Sequence, residues 1–180
     1  DKMLNKRAYS YLLIILVLSL ALRLYFSFQS SYFSSDEAYF HIRHVQYILD
    51  NKEPMAYDPL SYSGREIPYP PLYHYIMAAF SLPFQAAIVL KVLPAIFAVI
   101  TSLIIYFIAY ELTKDKLAAL FSSLFSAFIP AFIAGTLNSA SIYSIVMPVF
   151  FFIIFCMIKL REERTYLVYL AIFSILFPLM

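Results

Sequence analysis

Long apolar runs alternate along the chain with short polar punctuation, and five runs set its frame: residues 8–28, 86–112, 117–133, 142–160 and 166–180. The first four approach the ~20 residues that a helix needs to cross a hydrocarbon core of ~30 Å, and the fifth begins another. None alternates with the two-residue period of a membrane barrel. A backbone in lipid must satisfy its own hydrogen bonds, so transmembrane helices are expected. Lys2, Lys6 and Arg7 precede the first run, which reads as a span rather than a cleaved leader because of its length. Arg23, near its far end, is expected to snorkel to the interface.

Residues 29–71 are polar and aromatic and hold no spanning run; residues 72–85 are apolar but short and interrupted at Pro83. The latter predict an interfacial or re-entrant helix. Basic residues then orient the whole. The N-terminus, "TKDK" (Thr113 to Lys116) and "KLREER" (Lys159 to Arg164) fall on one side if 72–85 does not cross. Short cytoplasmic loops carry the Lys/Arg excess, so that side is expected inside. The 29–71 loop and "AGTLNSAS" (Ala134 to Ser141) then face outward. The chain stops inside an apolar run and reads as the N-terminal part of something larger.

Composition agrees with this frame. Of 180 residues, 63% are hydrophobic and 13% charged, against about 45–50% and about 25% in soluble domains. A net charge of +2, with scattered basic residues, points away from nucleic acid as a partner. Two glycines exclude phosphate-loop and dinucleotide fingerprints. Cys156, the single cysteine, lies within an apolar run and reads as a packing residue.

Titratable chemistry gathers in "SSDEAYFHIRHVQYILD", Ser34 to Asp50. Its periodicity predicts a surface helix that buries Ala38, Ile42, Val45 and Leu49 and turns Asp36, Phe40, Arg43 and Tyr47 outward. Ser34 and Glu37 have capping-box spacing, so the two acids can serve simply to start the helix. His41 and His44 suit either interfacial solvation or a metal. In "YSGREIPYPPLYHYI", Gly64 marks a turn and Pro70–Pro71 an extended entry to the next helix. Tyr69, Tyr73 and Tyr75 suit an interface belt or sugar stacking.

Four stretches together resemble a known family: "DEAYFHIRHVQYI", "YPPLYHYI", "VLPAIFAVITSLIIYFIAYELTKDK" and "IPAFIAGTLNS". Their order is similar to the N-terminal part of the archaeal oligosaccharyltransferase catalytic subunit, a branch of the GT-C membrane glycosyltransferases. The resemblance implies an all-α, polytopic, GT-C-like membrane protein. It implies a sugar or glycan moved from a polyprenyl-phosphate-linked donor to an acceptor protein or glycan on the extracytoplasmic face. It also implies an acid of the first external loop acting as catalytic group and metal ligand, with Mg²⁺ or Mn²⁺ neutralising the leaving phosphate. Counting back from Arg43 selects Glu37 for that role, whereas the "DE" of other GT-C branches selects Asp36, which is preferred. Arg43, His44, Tyr69 and His74 would bind the donor.

The chain departs from that family where a second acidic motif and an arginine are expected, because "GTLNSASIYS" has neither. One carboxylate holds a divalent ion poorly, so Asp58 and Glu66 become candidate helpers, or the metal is absent and Asp36 acts as a base on a hydroxyl acceptor. Two other readings compete. A non-catalytic GT-C relative would bind polyprenyl lipid or scaffold a partner without turnover. A transporter would need charge pairs at the centres of its spans, and the second, third and fourth runs have essentially none.

Overall fold

A computed structural model describes residues 2–61, 63–68 and 70–180, and of residues 2–6 the backbone alone. The protein is all-α and membrane-embedded. Its helices are α1 (Lys2–Phe28), α2 (Asp36–Asn51), α3 (Leu72–Ser81), α4 (Ala86–Thr113), α5 (Lys116–Phe128), α6 (Pro130–Thr136), α7 (Tyr143–Lys159) and α8 (Tyr166–Leu176). A two-stranded antiparallel hairpin, β1 (Tyr57–Asp58) and β2 (Arg65–Glu66), lies in the loop after α2. Helix α4 is the axis: α1, α5 and α7 pack along it, and α2 with α3 covers its first half.

Among the described residues, α1 from Arg7 and α4 are long and apolar enough to cross a membrane. Helices α5 and α6 form a third crossing only as a bent pair, turned by 54°. The bend has a local cause. Pro130 has no N–H to continue α5, and Ile129 before it takes ψ 124°, outside the helical region. Helix α7 runs for 17 residues, and α8 for 11 before the 3-10 turn Phe177–Leu179.

Both ends of the bundle are tied. At one end, Lys159 bridges Glu111 at 2.9 Å and Glu162 at 2.6 Å, and Lys114 pairs with Glu111, so "TKDK" and "KLREER" share a face. At the other end, the segment after α1 is bonded to the turn between α6 and α7. A core of Ala38, Val45, Tyr73, Met77, Leu90 and Ala140, all at 0–4% exposure, joins α2, α3, α4 and that turn. Burying an aliphatic side chain of this size contributes about 1.5–3 kcal/mol.

Arg23 does not snorkel. It is 2% exposed and points into the bundle, because a set of oxygens waits there. Its guanidinium donates to Thr136 Oγ1 at 3.2 Å, to Ala127 O at 2.8 Å and to Ser19. The Ala127 carbonyl has lost its helical partner at the break, so Arg23 caps the end of α5 in a place water cannot reach. Lys91 does the same for α1. Its ammonium donates to Ser27 O at 2.9 Å and to Ser30 O at the end of that helix. Cys156 is a free, fully buried packing residue.

Replacing Arg23 by Met leaves the Ala127 carbonyl unpaired in an apolar interior. Such a group costs about 1–3 kcal/mol. Equilibrium unfolding in mixed micelles is expected to show Arg23→Met less stable by about 2 kcal/mol; an unchanged midpoint would contradict the capping role.

Candidate active site

The acidic pair opens α2, and the chain before it is fixed by backbone bonds. Ser34 N–H donates to Asn138 O at 3.0 Å, and its hydroxyl reaches the same carbonyl at 3.0 Å. The Ser35 hydroxyl donates to Ser139 O at 3.0 Å. Asn138 returns the contact: its N–H donates to Ser27 Oγ at 3.1 Å and its Nδ2 to Tyr32 O at 2.8 Å. Tyr73, from α3, donates its hydroxyl to Ala140 O at 2.9 Å. Asn138 and Ala140 adopt positive φ of 55° and 49°, the conformation that turns these carbonyls toward the loop.

The capping box therefore does not form. Ser35 is the N-cap of α2 but its hydroxyl makes no cap bond, because both serines spend theirs on the turn. Glu37 does not fold back on Ser34 either. It crosses to the start of α7, where Oε1 accepts from Ser141 Oγ at 3.0 Å. His41 Nε2 lies 3.4 Å from the same oxygen. The His41 bond holds the Glu37 carboxyl below its usual range; partial burial opposes this, and Ser141 and the Ile142 amide add to it. Asp36, beside it, is exposed and makes no hydrogen bond or ion pair within the described chain.

The buried face of α2 is rotated from the sequence expectation. Ala38, His41, His44, Val45 and Ile48 point inward, while Ile42 and Leu49 are half-buried. Polar partners on the neighbouring segments make this possible. His41 Nδ1 and His74 Nε2 of α3 are 2.9 Å apart, and the His44 ring stacks on His74 with centroids 4.8 Å apart. Burial, then the His41 and His44 rings, push His74 down to about 3. His44 is lowered chiefly by burial, against the nearby Asp58 carboxylate. Its Nε2 makes no hydrogen bond and stands 3.9 Å from Asp58 Oδ2. Burial thus favours the neutral form of both rings.

Asp58 is delivered by the hairpin. Burial alone would raise its carboxyl, but the Arg43 guanidinium at 2.5 Å, the Ser61 hydroxyl and the Leu60 amide bring it down to about 2. Gly64 lets the hairpin close: its φ is +99°, and a side chain there would start 2.0 Å from the Tyr57 hydroxyl. Arg43 thus reaches back to Asp58 and keeps about a third of its side chain exposed, 32%.

The residues expected from sequence therefore separate. Asp36 and Glu37 stand together at the mouth of α2, with Arg43 two turns along. His44 and His74 are buried at 3% and 5% exposure, beneath the surface that a donor would meet. Tyr69 lies outside the described residues. Asp58 is committed to Arg43 and Ser61, and Glu66 sits on the exposed hairpin. No group of three or more His, Cys, Asp or Glu side chains converges as a metal site among the described residues. Glu37 Oε1 is already shared between Ser141 and His41, which leaves the exposed Asp36 carboxylate as the uncommitted member of the pair. The sequence reading missed Asn138 and Ser141, and it set Tyr73 in an interface belt, whereas that ring is fully buried with its hydroxyl on Ala140 O. The only signal for the first two was a run of small polar residues between two apolar runs.

An apolar cavity of ≈ 460 Å³ lies between α4, the bent pair and α7, lined by Ile105, Phe132, Thr136, Tyr143 and Met147 among others. Thr136 links it to Arg23, and Tyr143 to the turn that holds Glu37. A family model described as dolichyl-phosphate-mannose-protein mannosyltransferase matches residues 13–175, which include the acidic pair, the turn and the cavity. No curated protein matches the chain.

His74 supplies a pH prediction. Its folded value of about 3 lies below the ordinary histidine value, about 6.5. Between the two, the unfolded chain binds a proton that the folded chain refuses, so stability falls as pH falls. From pH 7.5 to 5.5, His74 alone removes about 1.4 kcal/mol, and His44 acts with the same sign. Unfolding midpoints in micelles should show this loss, and His74→Phe should reduce it by about that amount; a midpoint flat over this range would contradict the buried neutral ring.

Proposed function

Because the chain belongs to the dolichyl-phosphate-mannose-protein mannosyltransferase family, we propose that it transfers a mannosyl group from a polyprenyl-phosphate carrier to a hydroxyl acceptor at the extracytoplasmic membrane surface, with Asp36 as general base. The family consists of membrane glycosyltransferases of the GT-C class that use polyprenyl-phosphate-linked donors. Its description supports a mannosyl donor and a protein acceptor, and does not extend to the oligosaccharyltransferase branch that the sequence resembled. A protein hydroxyl is the acceptor that this family's description supports.

In this reading the acceptor O–H gives its proton to the Asp36 carboxylate as its oxygen bonds to the anomeric carbon. The bond from that carbon to the phosphate oxygen breaks, and polyprenyl phosphate leaves with the electron pair. General-base assistance of this kind contributes about 10²–10⁴ in rate. No step passes through a metal. Arg43, with its exposed third, offers the phosphate a guanidinium. The apolar cavity next to the turn suits an isoprenoid tail.

The observation that carries the assignment is the contrast within the pair. Asp36 has no partner among the described residues, whereas Glu37 is held by Ser141 and His41. A base must be free to take a proton, and a tethered neighbour fixes where it stands. The test is transfer of labelled mannose from polyprenyl-phosphate mannose by membranes holding the full-length protein. Asp36→Asn is expected to lower turnover by about 10² or more, and Glu37→Gln by about tenfold. Asp36→Asn turnover within about twofold of wild type would remove Asp36 as the base.

A further inference from the structure

All three histidines of the chain meet beneath the acidic pair. Building on the reading above, we infer that His74 is a positioning residue for that pair: acting through His41, it holds that ring in the orientation that donates to Glu37. The geometry is a three-member chain. Glu37 Oε1 lies 3.4 Å from His41 Nε2, and His41 Nδ1 lies 2.9 Å from His74 Nε2.

The carboxylate sets the order of protons. An ionised carboxylate only accepts, so His41 must donate from Nε2. In a neutral ring its Nδ1 is then a bare acceptor, and His74 must donate from Nε2. His41 and His74 are each 5% exposed, so water does not compete for these positions. Without a donor at position 74, the bare His41 Nδ1 is left buried and unpaired, and the ring loses the contact that holds its Nε2 edge on Glu37. A ring that turns to pair Nδ1 elsewhere breaks the 3.4 Å contact, and Glu37 would be held by Ser141 and the Ile142 amide alone. Asp36 belongs to the same helical turn and moves with it.

Two further features separate this role from packing or proton transfer. His74 is the residue of α3 that hydrogen-bonds His41, while its neighbour Tyr73 packs edge-on to the same ring and anchors α3 through Ala140 O at 2.9 Å. Altering the His74 ring therefore leaves the anchor of α3 in place. Burial also disfavours a proton on both nitrogens of His74. Its role is to donate in one direction rather than to pass protons along. Glutamine mimics the Nε2–H donor but cannot relay a proton, whereas phenylalanine offers ring volume alone.

The experiment has two arms on the full-length protein in lipid nanodiscs. Nitrogen NMR of ¹⁵N-histidine-labelled protein reads the tautomer directly. Wild type and His74→Gln are expected to show His41 protonated at Nε2 and bare at Nδ1, and His74→Phe to lose that preference. The second arm measures mannosyl transfer in a double-mutant cycle. His74→Phe is expected to lower kcat about tenfold, His74→Gln to stay within about twofold, and His74→Phe to add less than about twofold once Glu37→Gln is present. An equal fall in both backgrounds would make His74 a packing residue and overturn the inference. So would a His74→Gln variant as impaired as His74→Phe, or wild-type His41 bare at Nε2. A wild type that binds lipid phosphate without turnover would sink the functional reading alone, and the tautomer would then decide the inference.

Discussion

The hydrogen bonds between Ser34–Ser35 and the carbonyls of Asn138 and Ser139 are the constraint on which the site depends. They join segments about a hundred residues apart and set where α2 begins. Once α2 starts there, Glu37 reaches Ser141, His41 reaches His74, and Tyr73 closes the far side on Ala140. Remove the turn and the acidic pair would ride on a surface helix with nothing to orient it. Backbone carbonyls, turned outward by the left-handed residues Asn138 and Ala140, orient the pair without any charge of their own. That explains how a stretch lacking acid and arginine can still belong to the site.

Within the bundle the same logic governs two cations. Arg23 and Lys91 are both buried, and both donate to carbonyl oxygens at helix ends rather than to carboxylates. In lipid an unpaired carbonyl is expensive, so a basic side chain finds partners wherever a helix is broken. Arg23 serves the bend before Pro130, and Lys91 serves the end of α1 just before the loop that carries the acids. The carboxylates at the opposite end of the bundle, Glu111 and Glu162, are left to pair with Lys159 and Lys114 and to tie two turns together. Membrane helices and site are thus positioned by one device, the capping of orphan backbone groups.

Much of this was legible in the chain. Apolar runs without two-residue alternation gave the all-α membrane class. The resemblance carried by "DEAYFHIRH" reached the GT-C level, and the family match, to the dolichyl-phosphate-mannose-protein mannosyltransferases, holds at that level. What escaped was every contact between distant segments. A helical wheel for α2 put Ile42 inward and could not know that His74 would arrive to pair with His41 and stack on His44. Ser34 and Glu37 have the spacing of a cap, and only the nearness of residues 138–141 diverts them. Arg23 read as an interfacial anchor because the orphan carbonyl of Ala127 exists only once Pro130 bends the third run.

The central claim is that the turn at 137–141 holds the start of α2, and proximity measures it most directly. Ser34 N and Asn138 O are 3.0 Å apart, and a disulfide forms only between residues whose α-carbons come within ~4.4–6.8 Å. In a Cys156→Ser background, Ser34→Cys with Asn138→Cys should oxidise readily in native membranes and give the cross-linked peptide on mass-spectrometric mapping. Two thiols that stay separately reactive toward maleimide under the same oxidation would contradict the account.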